Sequence, residues 1–199
     1  MIAIIDVSGN NLTSLANALA RLGYPFVMTH DAAEIQEASH VILPGVGTAT
    51  FGMNALREYG LVKVLTSLTQ PLLGICLGMH LLLEYSDEGQ VDCLGLIPGR
   101  VQLLKNYERI PVPHMGWNQL HWCQDSPLKQ GLSSADCVYF VHSYALRENN
   151  HALAHCEYGE PFAAIIKKGS VFGMQFHPEK SATIGMILLE NFLEMRSVC

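Results

Sequence analysis

The chain has 199 residues, a formal net charge of −6, and 49% apolar against 15% charged residues. That length suits a domain whose own core suffices, burying roughly 70% of its unfolded surface. The acidic balance and the lack of any long Lys or Arg run argue against nucleic acid as the main ligand, and the longest apolar runs, such as 71–76, are far too short to cross a bilayer.

Residues 2–6 read as a buried strand. Leu12, Leu15, Leu19 and Leu22 then mark one face of a helix, with Asn11 available as its N-cap. A weaker strand at 25–28 and a third at 41–43 follow. A helical region spans 50–68, a fourth buried strand 71–76, and a helix 78–85. Continuous apolar strands alternating with helices imply an α/β fold, a doubly wound and mostly parallel sheet of the flavodoxin-like kind. In such sheets ligands collect at the carboxyl ends of the strands.

The second half reads differently. Strands are expected at 99–104, 116–122, 137–146, 151–157, 162–168 and 171–176, separated by Pro, Gly and Asn turns. They are expected as antiparallel additions to the same sheet or as a small second sheet. Only 181–195 is helical, with Ile184, Ile187, Leu188 and Phe192 on one face. No linker-like stretch divides the chain, so residues 1–199 read as one domain.

Met1 runs straight into a strand-like segment, without the basic start and cleavage site of a signal peptide. Six scattered cysteines match no zinc spacing and no C-x-x-C motif. The expected location is therefore a reducing cytoplasm, with neither metal nor cofactor.

Gly74-Ile75-Cys76-Leu77-Gly78 is the sharpest local signal. It places a cysteine between a buried strand and a helix, as in a nucleophile elbow, where flanking glycines let the tight turn pass neighbouring strands. The unpaired N–H groups of the helix start favour a thiolate. The N–H of Leu77 is placed as an oxyanion donor. A thiolate needs a proton partner, and Phe176-His177-Pro178-Glu179 supplies one at the end of a strand. Pro178 pushes His177 towards extended geometry. Residues two apart on an extended segment share a side, so Glu179 can orient the imidazole. Pro44-Gly45-Val46-Gly47 follows the third strand and can bring another backbone N–H to the site.

Together these segments resemble the class I (triad) glutamine amidotransferases over essentially the whole chain. Within that class the sequence is most similar to the glutaminase subunits of imidazole glycerol phosphate synthases. The motifs that carry the likeness are Leu43-Pro-Gly-Val-Gly-Thr48, Leu73-Gly-Ile-Cys-Leu-Gly-Met79, Pro113-His-Met-Gly-Trp-Asn118, Tyr139-Phe-Val-His-Ser-Tyr144 and Gln175-Phe-His-Pro-Glu-Lys180. The resemblance implies hydrolysis of L-glutamine by Cys76, His177 and Glu179, with Val46, Gly47 and Leu77 at the oxyanion hole. It implies that Gly47, His80, Glu88, Ser143 and Tyr144 hold glutamine. It also implies a heterodimer with a (β/α)8-barrel cyclase, contacted by Asn11, Trp117 and Lys180. That cyclase would receive the ammonia through an internal passage, in histidine biosynthesis. By the same likeness the isolated chain has low activity, raised when a peptide at 44–47 flips an N–H into the oxyanion hole. One such donor is worth about 10²–10³ in rate.

The sequence departs from the family pattern at His80, where Gln is usual, and in the turn at 6–12. A neutral imidazole offers one donor where an amide offers two. Three other readings stay open: a paralogue serving surface-sugar amidination, a cysteine hydrolase without ammonia transfer, and a non-catalytic binding module.

Overall fold

The computed structural model describes residues 1–7, 12–147 and 149–195. In chain order its elements are β1 (Ile2–Ile5), α1 (Thr13–Arg21), β2 (Phe26–Thr29), α2 (Ala32–Glu37), β3 (His40–Leu43), α3 (Ala49–Glu58), α4 (Leu61–Thr66), β4 (Leu72–Ile75) and α5 (Leu77–Leu82). Then come β5 (Tyr85–Ser86), β6 (Val91–Asp92), β7 (Arg100–Leu103), β8 (His114–Gln119), β9 (His121–Trp122), β10 (Cys137–His142), β11 (Tyr144–Leu146), β12 (Ala152–Tyr158), β13 (Glu160–Lys168), β14 (Val171–Met174) and α6 (Ala182–Leu193).

The main sheet has the order β2-β1-β3-β4-β14-β13-β12-β9. Its first five strands are parallel, and β13, β12 and β9 add on antiparallel. Both faces are buried, as continuous apolar strands require. Ile2 and Ile4 face the core formed with α1 and α6, while Ala3 and Ile5 face the core under α2, α3, α4 and α5. Both expected placements of the later strands occur, since β7 and β11 join β5 and β6 in a separate four-stranded sheet and β13, β12 and β9 extend the main one, but β14, expected with them, runs parallel to β4 inside the main sheet; among the described residues β8 pairs with β10 alone.

Several expected elements are subdivided. The helical region 50–68 breaks at Gly60, whose φ of 70° ends α3 and starts α4. The strand expected at 137–146 breaks at Ser143, so β10 and β11 join different sheets. The helix expected at 78–85 ends at Leu82, and Tyr85 enters a strand. The short α2 was not expected; Asp31 caps it by accepting from the N–H groups of Ala33 and Glu34 at 2.9 and 3.0 Å. Leu12 occupies the N-cap position of α1, and Asn11 lies outside the described residues.

The parallel strands β3, β4 and β14 end side by side. The segments that follow them are Pro44–Gly47, Cys76 and the stretch from Gln175 to Lys180, so three separate motifs meet at one carboxyl edge. No helix among the described residues is long and apolar enough to cross a membrane.

Candidate active site

Cys76 sits at the junction of β4 and α5 with φ 53° and ψ −110°. Side-chain-bearing residues rarely adopt that conformation, and its strain persists only where the surroundings enforce it. The Cys76 N–H donates to the Met174 carbonyl at 2.8 Å, tying the bend to β14. Its flanking glycines are sterically required. A Cβ on Gly78 would lie 1.7 Å from the Leu43 carbonyl oxygen, and one on Gly74 would lie 2.6 Å from the Gly78 carbonyl. The bend thus lets α5 start directly against β3 and β4. Leu77 opens α5, and its N–H has no acceptor within the helix.

His177 comes off β14 in extended geometry, φ −97° and ψ 98°. Its Nδ1 lies 2.8 Å from Glu179 Oε1, and its ring lines the same cavity as Cys76. The expected pairing of His177 with Glu179 is present, but by a different route. Glu179 lies in a 3-10 turn over Pro178–Lys180, which curls the carboxylate back to the ring. Burial pulls the His177 pKa down. The hydrogen bonds and negative charges of Cys76 and Glu179 outweigh it and push the group up to about 10. The protonated form of the ring is thereby favoured, with Nδ1 directed at Glu179.

A cavity of about 260 Å³ opens over the sulfur, lined by Val46, Gly47, Cys76, Leu77, His80, Glu88, Val141, His142, Ser143, Tyr144 and His177. It falls below the roughly 300–1,000 Å³ of drug-sized sites, which suits a substrate the size of an amino acid. Every residue that sequence reasoning assigned to substrate or oxyanion binding lies on this wall. Gly47 takes φ 96°, so its peptide adopts a conformation open chiefly to glycine. Glu88 is partly buried, which raises its pKa, while its Oε2 accepts from the Ala49 N–H at 3.2 Å. His80 is buried and spends its Nε2 on Gln175 Oε1 at 2.8 Å. Burial lowers its pKa to about 4, against the opposing bond to Gln175, so it is neutral at physiological pH.

A second cavity, of about 290 Å³, touches the same histidine and is lined by Leu12, Pro44, Val46, Ile75, Glu179 and Lys180 among others. Val46 and His177 line both spaces. Among the described residues, no cluster of three or more His, Cys, Asp or Glu side chains is placed to hold a metal ion.

The model of the family described as "Glutamine amidotransferase class-I" matches residues 3–195. The chain belongs to the class-I glutamine amidotransferases. Within that class it falls among the HisH subunits of imidazole glycerol phosphate synthase. It is 67% identical over 199 residues to imidazole glycerol phosphate synthase subunit HisH 2 of Legionella pneumophila, covering 100% of both chains. It is 46% identical over 193 residues to subunit HisH of Pasteurella multocida, covering 97% of each. A crystal structure of a glutamine amidotransferase superposes with a TM-score of 0.74 at 21% identity, covering 97% of each chain, which shows the shared fold.

Elsewhere in this class-I amidotransferase, Trp117 lies on β8 and is 55% exposed, where a core position is the default for tryptophan. Lys180 is exposed beside the second cavity, so Trp117 and Lys180 do not share one wall of the cavity over Cys76. Sequence reasoning assigned no role to Val141, His142 or Gln175. Val141 offers its carbonyl oxygen 3.9 Å from Cys76 Sγ. His142 bonds the Tyr144 carbonyl through Nδ1 at 2.9 Å and His114 Nδ1 through Nε2 at 3.0 Å. A carbonyl only accepts, so His142 carries its proton on Nδ1 and accepts from His114. Their membership in the Y-F-V-H-S-Y and Q-F-H-P-E-K segments was the available signal.

Proposed function

We propose that this chain is the glutaminase subunit of an imidazole glycerol phosphate synthase, acting in histidine biosynthesis with Cys76, His177 and Glu179 as its catalytic residues. The observation that carries the reading is a single amino-acid-sized cavity lined by both Cys76 and His177, whose imidazole a carboxylate backs at 2.8 Å.

The chemistry follows from those groups. Cys76 Sγ attacks the side-chain carbonyl carbon of glutamine, and the carbonyl π electrons move onto oxygen. The N–H of Leu77 and the peptide at Val46–Gly47 stabilise that oxyanion. As the C–N bond breaks, the imidazolium of His177 delivers its proton to the leaving amine, which departs as ammonia. The neutral ring then takes a proton from water, whose oxygen attacks the thioester, and glutamate leaves as the C–S bond breaks. Glu179 holds the ring in place and stabilises its cationic form in both steps. Glu88, with Ser143 and Tyr144, faces the amino-acid end of the substrate, where a half-buried carboxylate suits an ammonium group.

The partner in this reading is a (β/α)8-barrel cyclase. Exposed Trp117 and Met115 on β8 supply an apolar contact surface, and Lys180 a cation beside the second cavity. Sequestering the product keeps ammonia from becoming non-nucleophilic ammonium in neutral water. We take 1–199 as one domain, because β14 pairs with β4 and joins both halves in one sheet. A reducing cytoplasm fits the free thiols of Cys76, Cys93, Cys123, Cys137 and Cys156.

The test is glutamate release by the wild type and by Cys76→Ala, each with and without the cyclase and its ligand. Release is expected only from the wild type and chiefly in the complex. Activity that survives in Cys76→Ala discards the mechanism. The identity of the cyclase that co-purifies decides between histidine biosynthesis and surface-sugar amidination.

A further inference from the structure

Ser181 stands at the N-cap of α6 yet makes no capping bond with its side chain. A serine there ordinarily spends its hydroxyl on the N–H groups of the first turn. This hydroxyl, on a residue with 0% exposure, instead donates to the His177 carbonyl at 2.7 Å and accepts from the Tyr139 N–H at 2.9 Å. The His177 N–H in turn donates to the Tyr139 carbonyl at 3.0 Å. Both backbone polar groups of His177 are therefore tied to the backbone of β10, one directly and one through the hydroxyl. The next residue, Ala182, takes φ 49°, a strained value for a residue with a Cβ. Helix α6 is also pressed onto this turn, since a Cβ on Gly185 would lie 1.8 Å from the Pro178 carbonyl oxygen.

The geometry points to Ser181 as a positioning residue for His177. Pinning the N–H and C=O of one residue fixes its φ and ψ, and these set the direction of its Cα–Cβ bond. Glu179 holds the far end of the same side chain through Nδ1. The imidazole is thus held at both ends, and its remaining nitrogen stays aligned on Cys76. The helix gives up an ordinary cap and tolerates a strained first residue in exchange for that alignment. Without the hydroxyl, the part-buried Tyr139 N–H loses this partner, and the loop re-seats relative to β10.

The inference rests on the glutaminase reading, so its test includes a readout that needs no glutamine. Ser181→Ala, Ser181→Thr and Ser181→Cys are compared with the wild type in the full chain, bound to its cyclase. Glutamate release gives kcat and KM, iodoacetamide alkylation of Cys76 across pH reports the thiol–imidazole pair, and thermal melting reports folding. In Ser181→Ala, kcat is expected to fall about 10- to 100-fold, the scale of a misaligned reacting group. Its KM should stay within about twofold, and the alkylation profile should shift along the pH axis. Ser181→Thr restores most of kcat. A folded Ser181→Ala with wild-type kcat and an unmoved alkylation profile overturns the proposal, as does a threonine variant no faster than alanine. If alanine prevents folding, threonine must exceed cysteine in kcat by about tenfold, since only the hydroxyl is a strong donor and acceptor; equal rates overturn it. A wild type that releases no glutamate sinks the glutaminase reading, while the alkylation comparison still decides the role of Ser181.

Discussion

His80 Nε2 lies 2.8 Å from Gln175 Oε1, with both side chains buried beside Cys76. The two meet across 95 residues of sequence. His80 Nδ1 and Gln175 Nε2 are buried without partners among the described residues. The position that departs from the family pattern is therefore a supporting element of the cavity wall, and its Nε2 is not free for substrate.

That arrangement predicts a pH dependence. Burial holds the His80 pKa at about 4, below the ordinary 6.5. Between those values the unfolded chain binds a proton that the fold excludes, so stability rises with pH across this window. It is lost as pH falls through it, with a slope of at most about 1.4 kcal/mol per pH unit from this group. His80→Gln removes the contribution. Urea midpoints measured at pH 7 and pH 5 should fall less for His80→Gln than for the wild type. Equal falls would show that another group governs acid sensitivity.

A second prediction concerns the imidazolium. Cys76 contributes both a hydrogen bond and a negative charge to raising His177 to about 10, against the opposing pull of burial. Removing it leaves Glu179 alone against desolvation. In Cys76→Ala the His177 ring should titrate below that value, followed by imidazole NMR. A titration midpoint identical in both proteins would mean that the sulfur and ring do not interact in solution.

The elbow gives a stability prediction. Gly78→Ala places a Cβ 1.7 Å from the Leu43 carbonyl oxygen, and backbone on both sides leaves little room to yield. The cost should exceed the roughly 1–3 kcal/mol typical of overpacking, giving a chain that is insoluble or melts far below the wild type. A Gly78→Ala protein with a wild-type melting curve would show that α5 does not start against β3 as described.

Much of this site was legible because its signals are local. The G-x-C-x-G signature can be read within a few residues, and so can His177 beside Glu179, even though the bend itself packs on Leu43 and Met174. What escaped the sequence acts through space. Gln175 matters because of His80, and Ser181 because of Tyr139, 42 residues away. Neither serine nor glutamine announces such a partner, and Ser181 reads only as the first residue of the expected helix 181–195. The break at Ser143 was hidden because strand-forming residues, Tyr139, Phe140, Val141 and Tyr144, lie on both sides of it with no Gly or Pro between them. At six residues, α2 was too short for helical periodicity to stand out.

The last prediction concerns the ribbon of β8 and β10. Trp117 lies opposite Tyr139 in that pair, and the rings meet edge to face with centroids 6.0 Å apart. Met115, 62% exposed, extends the same face, because residues two apart on a strand point the same way. An exposed tryptophan buttressed by a second aromatic is a strong candidate for an interface anchor. Trp117→Ala should weaken cyclase binding by about 2 kcal/mol or more, near 30-fold in Kd. Its effect on folding should stay within about 1 kcal/mol, since only one edge-to-face contact is lost. Calorimetric titration with the cyclase measures the first quantity and urea unfolding the second. An unchanged Kd would move the docking surface off this ribbon, leaving Lys180 and the second cavity, which lie around His177 instead, to carry it.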